Sequence, residues 1–144
     1  MKKRNSWLFV AVLMLAMSVT TIASAAIQAS QYIALYEGGI TSPSDNNVKI
    51  SFAITATGTM DMVGVKTIIL QEKASLTDEW SAIKTYSYSD YSNMMRENAF
   101  MVDSDVTYTN AIGDYYYRAK IYFYAENGGY DTRELITYSV QAKP

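Results

Sequence analysis

Alternation constrains this chain more than anything else in it. In "NVKISFAITATG", Val48, Ile50, Phe52 and Ile54 are apolar, and Lys49, Ser51, Ala53 and Thr55 between them are small or polar. Successive side chains of a β-strand point to opposite faces, so this spacing suits a half-buried strand and no helix. The same period recurs across most of the chain, which implies an all-β domain.

Six further segments extend the pattern. "QYIALYEGG" is a short strand closed by Gly38-Gly39, and "TSPSDNN" is a turn cluster. Gly58 ends the strand that begins at Val48. "MVGVKTIILQEK" then reads as a separate central strand, with a bulge expected at Ile68-Ile69-Leu70. "ASLTDE" is a loop, "WSAIKTYSY" a strand, "SDYSNMMREN" a loop or single helical turn, and "AFMVDSDVTYT" a strand. "YYYRAKIYFYAE" and "YDTRELITYSVQA" form the last two, joined by Asn127-Gly128, which has the chemistry of a tight hairpin turn. Seven strands with a turn signal roughly every ten residues predict an antiparallel β-sandwich.

The tyrosine-rich strand has two differently used faces. Tyr115, Tyr117, Ala119, Ile121, Phe123 and Ala125 share one, which suits a core. Tyr116, Arg118, Lys120, Tyr122, Tyr124 and Glu126 share the other, where rings alternate with long cationic stems. That outward set is the candidate ligand-binding surface, because Tyr and Arg are enriched in binding hot spots. The same residues also serve an ordinary solvated sheet through cross-strand pairs. Trp80 reads either as a core plug beneath a loop or as a ligand platform.

The first 25 residues, "MKKRNSWLFVAVLMLAMSVTTIASA", have the anatomy of a secretory leader. Lys2, Lys3 and Arg4 precede the apolar run Trp7 to Met17, and Ala23-Ser24-Ala25 is a small-x-small cleavage site. The expected cut follows Ala25; the alternative is a retained anchor. The remainder, residues 26–144, is one domain, soluble and extracellular or periplasmic. It holds 9 basic and 14 acidic residues, a net charge of −5. The basic residues are scattered along the sequence, so no footprint for nucleic acid or an anionic membrane is visible. With no cysteine and no histidine, disulfides, lipidation at the cleavage site and the usual zinc, copper or iron ligand sets are excluded.

"GDYYYRA", Gly113 to Ala119, resembles the penultimate strand of immunoglobulin-like and fibronectin type III-like domains. There a tyrosine at a loop corner follows the glycine by two residues, a place Tyr115 holds. Tyr117 stands where the antibody family has its inter-sheet cysteine, so the resemblance implies a cysteine-free sandwich. The leader, "ISFAITATGTMDMVG", "YYYRAKIYFYAENGG" and "DTRE" together resemble small exported proteins of Gram-positive, often gut-dwelling, bacteria. That resemblance implies secretion and carries no activity.

Catalytic motifs are sparse. Ser81-Ala82-Ile83-Lys84 and Ser44-Asp45-Asn46 match two marks of serine β-lactamases. The first needs a helix to bring lysine to serine, whereas this segment alternates as a strand. The motifs also occur in the wrong order, and Lys84-Thr85-Tyr86 lacks the glycine of K-T-G. Asp103 and Asp105 share a strand face about 6.6 Å apart, between the two glycosidase spacings. The preferred reading is that both are edge-strand or loop carboxylates that keep the sheet soluble. Asp45 and Asp114 fall in loops expected at the same end of the sandwich, where oxygen ligands for calcium could meet; ordinary turn chemistry uses the same residues.

The expectation is a non-catalytic, cofactor-free exported module, monomeric or weakly self-associating, binding an extracellular glycan or protein through its tyrosine-rich face or end loops. The alternative is a structural protein that associates with itself. A hydrolase using Asp103 and Asp105 stands third.

Overall fold

A computed structural model describes residues 30–144 of the protein. The expected leader and its cleavage site lie outside the described residues. Seven antiparallel strands make up the structure: β1 (Ile33–Thr41), β2 (Val48–Lys73), β3 (Ser81–Ser87), β4 (Met95–Tyr108), β5 (Tyr116–Glu126), β6 (Tyr130–Ile136) and β7 (Val140–Gln141). One 3-10 turn, Ser92–Met94, is the sole helical element among the described residues.

The strands form a single hydrogen-bonded sheet that folds over itself through β2. The first half of β2 pairs with β1 on one side and β4 on the other, and the start of β4 also runs beside Met60–Gly64 of β2, where β5 lies on the opposite side. The second half pairs with β3 and β5, and β5 continues the layer to β6 and β7. Two layers result: β1-β2-β4 and β3-β2-β5-β6. Ring contacts between strands that share no hydrogen bonds fix their stacking. Tyr36 of β1 lies 5.2 Å from Phe123 of β5, and Tyr108 of β4 lies 6.4 Å from Tyr117 of β5.

Alternation explains the core directly. Val48, Ile50, Phe52 and Ile54 enter it from one half of β2, and Ile68 and Leu70 from the other. Tyr117, Ala119, Ile121 and Phe123 meet them from β5, all fully buried. Burying one such large side chain stabilises the fold by roughly 1.5–3 kcal/mol, so packing does the work that no disulfide is present to do.

Two glycine readings are corrected. Gly58 does not end a strand, because β2 runs unbroken for 26 residues. It does mark a real irregularity. The register with β4 jumps between Thr55 and Met60, so this arch leaves the ladder while the chain stays extended. Gly38-Gly39 does not close β1 either. A Cβ on Gly38 would sit 2.5 Å from Ile121 Cδ1 and 3.3 Å from Leu135 Cδ2. That glycine lets the two layers approach closely.

Two predicted strands thus merge into β2. The last predicted strand divides into β6 and β7 at Thr137, whose buried hydroxyl accepts the Ala119 N–H. The expected bulge has a counterpart between Leu70 and Gln71 in the pairing with β3, and a second shift separates Val65 from Thr67 in the pairing with β5. The "SNM" turn places Met94 in the core.

The corner of the sandwich also differs from expectation. Tyr117, not Tyr115, makes the corner contact. Its Oη accepts the Ile112 N–H at 2.8 Å and its O–H donates to Glu72 Oε2 at 3.0 Å. A tyrosine bonding back to backbone just upstream of its strand is the device that pins the corner in immunoglobulin-like sandwiches. Burial, together with the Glu72 carboxylate, pushes the Tyr117 phenol up to about 12 against a smaller opposing effect of the Ile112 amide.

Candidate binding face

The outward side of β5 lies at the centre of the second layer, so its neighbours complete the surface. Tyr116 is opposite Lys73, Arg118 opposite Gln71, Lys120 opposite Ile69 and Tyr122 opposite Thr67 on β2. On the other side, Lys120 meets Ile136 and Tyr122 meets Glu134 of β6. Along β5, the distance from Arg118 to Tyr124 is about 20 Å by strand rise.

One end of this face is built around Trp80. The Arg118 guanidinium lies 4.5 Å from the indole centroid and the Lys73 ammonium 4.8 Å. Arg118 Nε also donates to Gln71 Oε1 at 2.8 Å. The guanidinium is therefore held by an amide and a ring while its terminal nitrogens remain for other partners. Trp80 is half-buried and lies outside the core cluster. This corrects the reading of Trp80 as a core plug: the chain reaches β3 by crossing the outer surface, and the cations cover the indole there.

Tyr122 and Glu134 hold the middle. Burial first, then the facing carboxylate and its hydrogen bond, raise the Tyr122 phenol above its ordinary value. Lys120 is half-buried beside them.

Tyr124 belongs to the face by register but is only 6% exposed. The Lys66 ammonium lies 3.6 Å from its ring centroid, and Tyr130 stacks on it at 5.9 Å. Its hydroxyl donates to Glu126 Oε2 at 2.7 Å, and that bond, with burial second, pushes the phenol up to about 12. Tyr124 thus closes the far end of the surface with its ring already covered. Pure alternation missed this because Lys66 is the extra residue at the Val65/Thr67 shift, and a bulge turns its side chain onto the tyrosine.

The face also gathers what the sequence scattered. Lys66, Lys73, Arg118 and Lys120 come from two strands and meet on one side of one layer. The sequence signal existed in principle: pairing β2 with β5 in antiparallel register aligns Lys73 with Tyr116 and Gln71 with Arg118. Without the register, the four cations are merely dispersed.

The other candidates separate. Asp103 and Asp105 both project from the outer side of β4, facing Ala53 and Ser51. Asp105 pairs with Lys49 at 3.1 Å, with both side chains more than two-fifths exposed. Asp103, with Glu37, borders a shallow groove of about 360 Å³ floored by Gly38, Gly39, Ser51 and Ala53. Ser81 and Lys84 lie on β3, so the helix that S-x-x-K chemistry needs is missing. The loops carrying Asp45 and Asp114 do meet, since the Ala111 N–H donates to Asn46 O at 2.9 Å. Both aspartates are exposed, and no group of three or more metal-ligating acidic, histidine or cysteine side chains occurs among the described residues.

No protein-family model matches the chain, and no curated protein matches it. Among solved structures, the chain is similar to domains A168–A170 of titin, with 16% identity and a TM-score of 0.36 over 75% of this chain and 31% of that one. It is also similar to Spo0M, a sporulation control protein from Bacillus subtilis, with 6% identity and a TM-score of 0.43 over 76% of this chain and 49% of that one. The chain therefore spans less than half of each structure it resembles.

Proposed function

We propose that the protein is an exported, non-catalytic β-sandwich module that captures an extracellular polymer on the outer face of its β3-β2-β5-β6 layer. One observation carries this reading: Trp80, Arg118, Lys120 and Tyr122 converge on one rigid sheet surface, with Arg118 preset by Gln71 and the indole. Holding a recognition group in place before binding lowers the ordering cost of association. A flat sheet supplies neither a deep cleft nor an acid–base pair, which favours capture over turnover.

Tyr122→Ser with Lys120→Ala tests the face without touching the core. The expected result is loss of ligand capture on a glycan and peptide array with an unchanged melting temperature. Undiminished capture refutes the sheet-face reading. Export is tested by mass spectrometry of the protein recovered from culture medium, which should begin at Ala26.

Self-association is favoured by a separate observation. The outer side of the β1-β2-β4 layer carries Glu37, Asp103 and Asp105 against Lys49, the opposite balance to the β5 face. Stacking of one face on the other between copies would be head-to-tail, building rings or open chains. Sedimentation separates the readings, because stacking requires mass to grow with concentration.

A further inference from the structure

We propose that the polymer held by this face is an acidic polysaccharide, hydroxyl-rich and carrying carboxylates at intervals. The inference rests on the sheet-face reading above and adds the chemistry of the ligand. Four of the nine cations beyond residue 25, Lys66, Lys73, Arg118 and Lys120, lie on one outer face of a domain whose net charge is −5. Glu126, Glu134 and, by register, Glu97 share the face towards its Tyr122–Tyr124 end, so the positive excess lies at the Lys73, Arg118 and Lys120 end, where it favours anions against the overall sign.

The anchoring point is Arg118. Its Nε is committed to Gln71, and its plane is held near Trp80. The two terminal nitrogens are left for a carboxylate, the planar partner a guanidinium binds best. Lys120 lies about 6.6 Å further along the same face by strand rise, within reach of the next acidic group or of hydroxyls beside it.

The carboxylates on the same face decide between polyanions. Glu134 lies beside Tyr122, and Glu126 beside Tyr124. A DNA strand carries a charge at every phosphate and no hydroxyl along its backbone, so that backbone offers Glu134 only repulsion. A polysaccharide places hydroxyl donors between its charges. Glu134, Gln71 and the Tyr122 hydroxyl suit those donors, as Arg118 and Lys120 suit the acids.

Calorimetry with polygalacturonate, neutral dextran, polyglutamate and a single-stranded oligonucleotide tests the proposal, using the purified protein. Polygalacturonate should bind, with affinity falling several-fold between 50 and 200 mM salt on counter-ion grounds. Dextran should bind at least ten-fold more weakly. Arg118→Gln with Lys120→Gln should lower polygalacturonate affinity at least ten-fold, Arg118→Lys less, and Asp103→Asn on the far face not at all; circular dichroism checks that each variant is folded. Equal binding of dextran, lost in Tyr122→Ser but kept in the cation variant, overturns the acidic ligand and leaves the sheet-face reading standing. Equal binding of polyglutamate or the oligonucleotide overturns it in favour of a simple polyanion site. Binding of polygalacturonate that survives both Tyr122→Ser and the cation variant overturns both readings. No binding of any of the four, or self-association alone, also overturns the acidic polysaccharide.

Discussion

Tyr117→Phe removes one oxygen from the interior and nothing else. The ring is fully buried and keeps its place against Tyr108. The lost atom serves two bonds, accepting from Ile112 and donating to Glu72. Leaving a buried donor unsatisfied costs about 1–3 kcal/mol, and the bond to a carboxylate is of the stronger, charge-assisted kind. Glu72 is half-buried and can turn to water, so the expected loss at pH 7 is about 2 kcal/mol. Urea unfolding should show a lower midpoint with an unchanged slope. Alkaline pH supplies a second arm with a definite sign. The phenol is raised in the folded state to about 12 from an ordinary value of 10. The unfolded chain therefore ionises first, and this tyrosine's contribution is intact below pH 10 and lost as pH rises towards 12. Linkage puts that contribution at roughly 2–3 kcal/mol. Phenylalanine has no proton to lose, so the gap between the two proteins should narrow steadily above pH 10. Equal stability at pH 7, or a gap that stays constant from pH 9 to 11.5, refutes the corner argument.

Gly64→Ala should cost several kcal/mol or abolish folding, because a Cβ there would lie 2.2 Å from the Met94 carbonyl oxygen and 2.7 Å from Met95 Cα. Gly58→Ala meets nothing within 4 Å and should change urea stability by less than about 0.5 kcal/mol. Asp131→Asn should cost about 1–2 kcal/mol at pH 7, since the carboxylate accepts bonds from the Ser30 hydroxyl and the Tyr32 N–H. Those bonds hold the Asp131 carboxyl below its ordinary value, so its contribution is present above the unfolded carboxyl's pKa and is lost as pH falls through the folded one; acid titration of both proteins should show the wild-type advantage vanish at low pH. Lys49→Ala should move the thermal midpoint little, because its pairing with Asp105 is solvent-exposed and such pairs contribute at most about 1 kcal/mol.

Alternation carried most of the fold. The inward set of β5 was legible residue by residue, because a period of two leaves no choice once one member is buried. Alternation is silent about what lies opposite a residue, and the misreadings follow from that. Gly38 looked like a terminator, since a sequence shows the missing side chain and not the Ile121 and Leu135 side chains that occupy its space. Trp80 read as a core plug beneath a loop or as a ligand platform, and only the fold shows it on the outer surface with two cations against it. Tyr124 looked exposed by parity, and one extra residue at Lys66 on the neighbouring strand covered it.

The proposed binding face was half visible for the same reason. Every member on β5 follows from one strand's parity, so Arg118, Lys120 and Tyr122 were nameable in advance. Lys66, Lys73 and Gln71 join only through pairing with β2, and that register is set by the whole core. Ile68 and Leu70 must point inward beside Ile121 and Ala119. A slip of one residue would turn them to solvent and disperse the cations. The charge pattern of the outer face is thereby tied to the burial pattern of the inner one. Substitutions that loosen the β2–β5 register should weaken the proposed polygalacturonate binding even when they lie beneath the sheet.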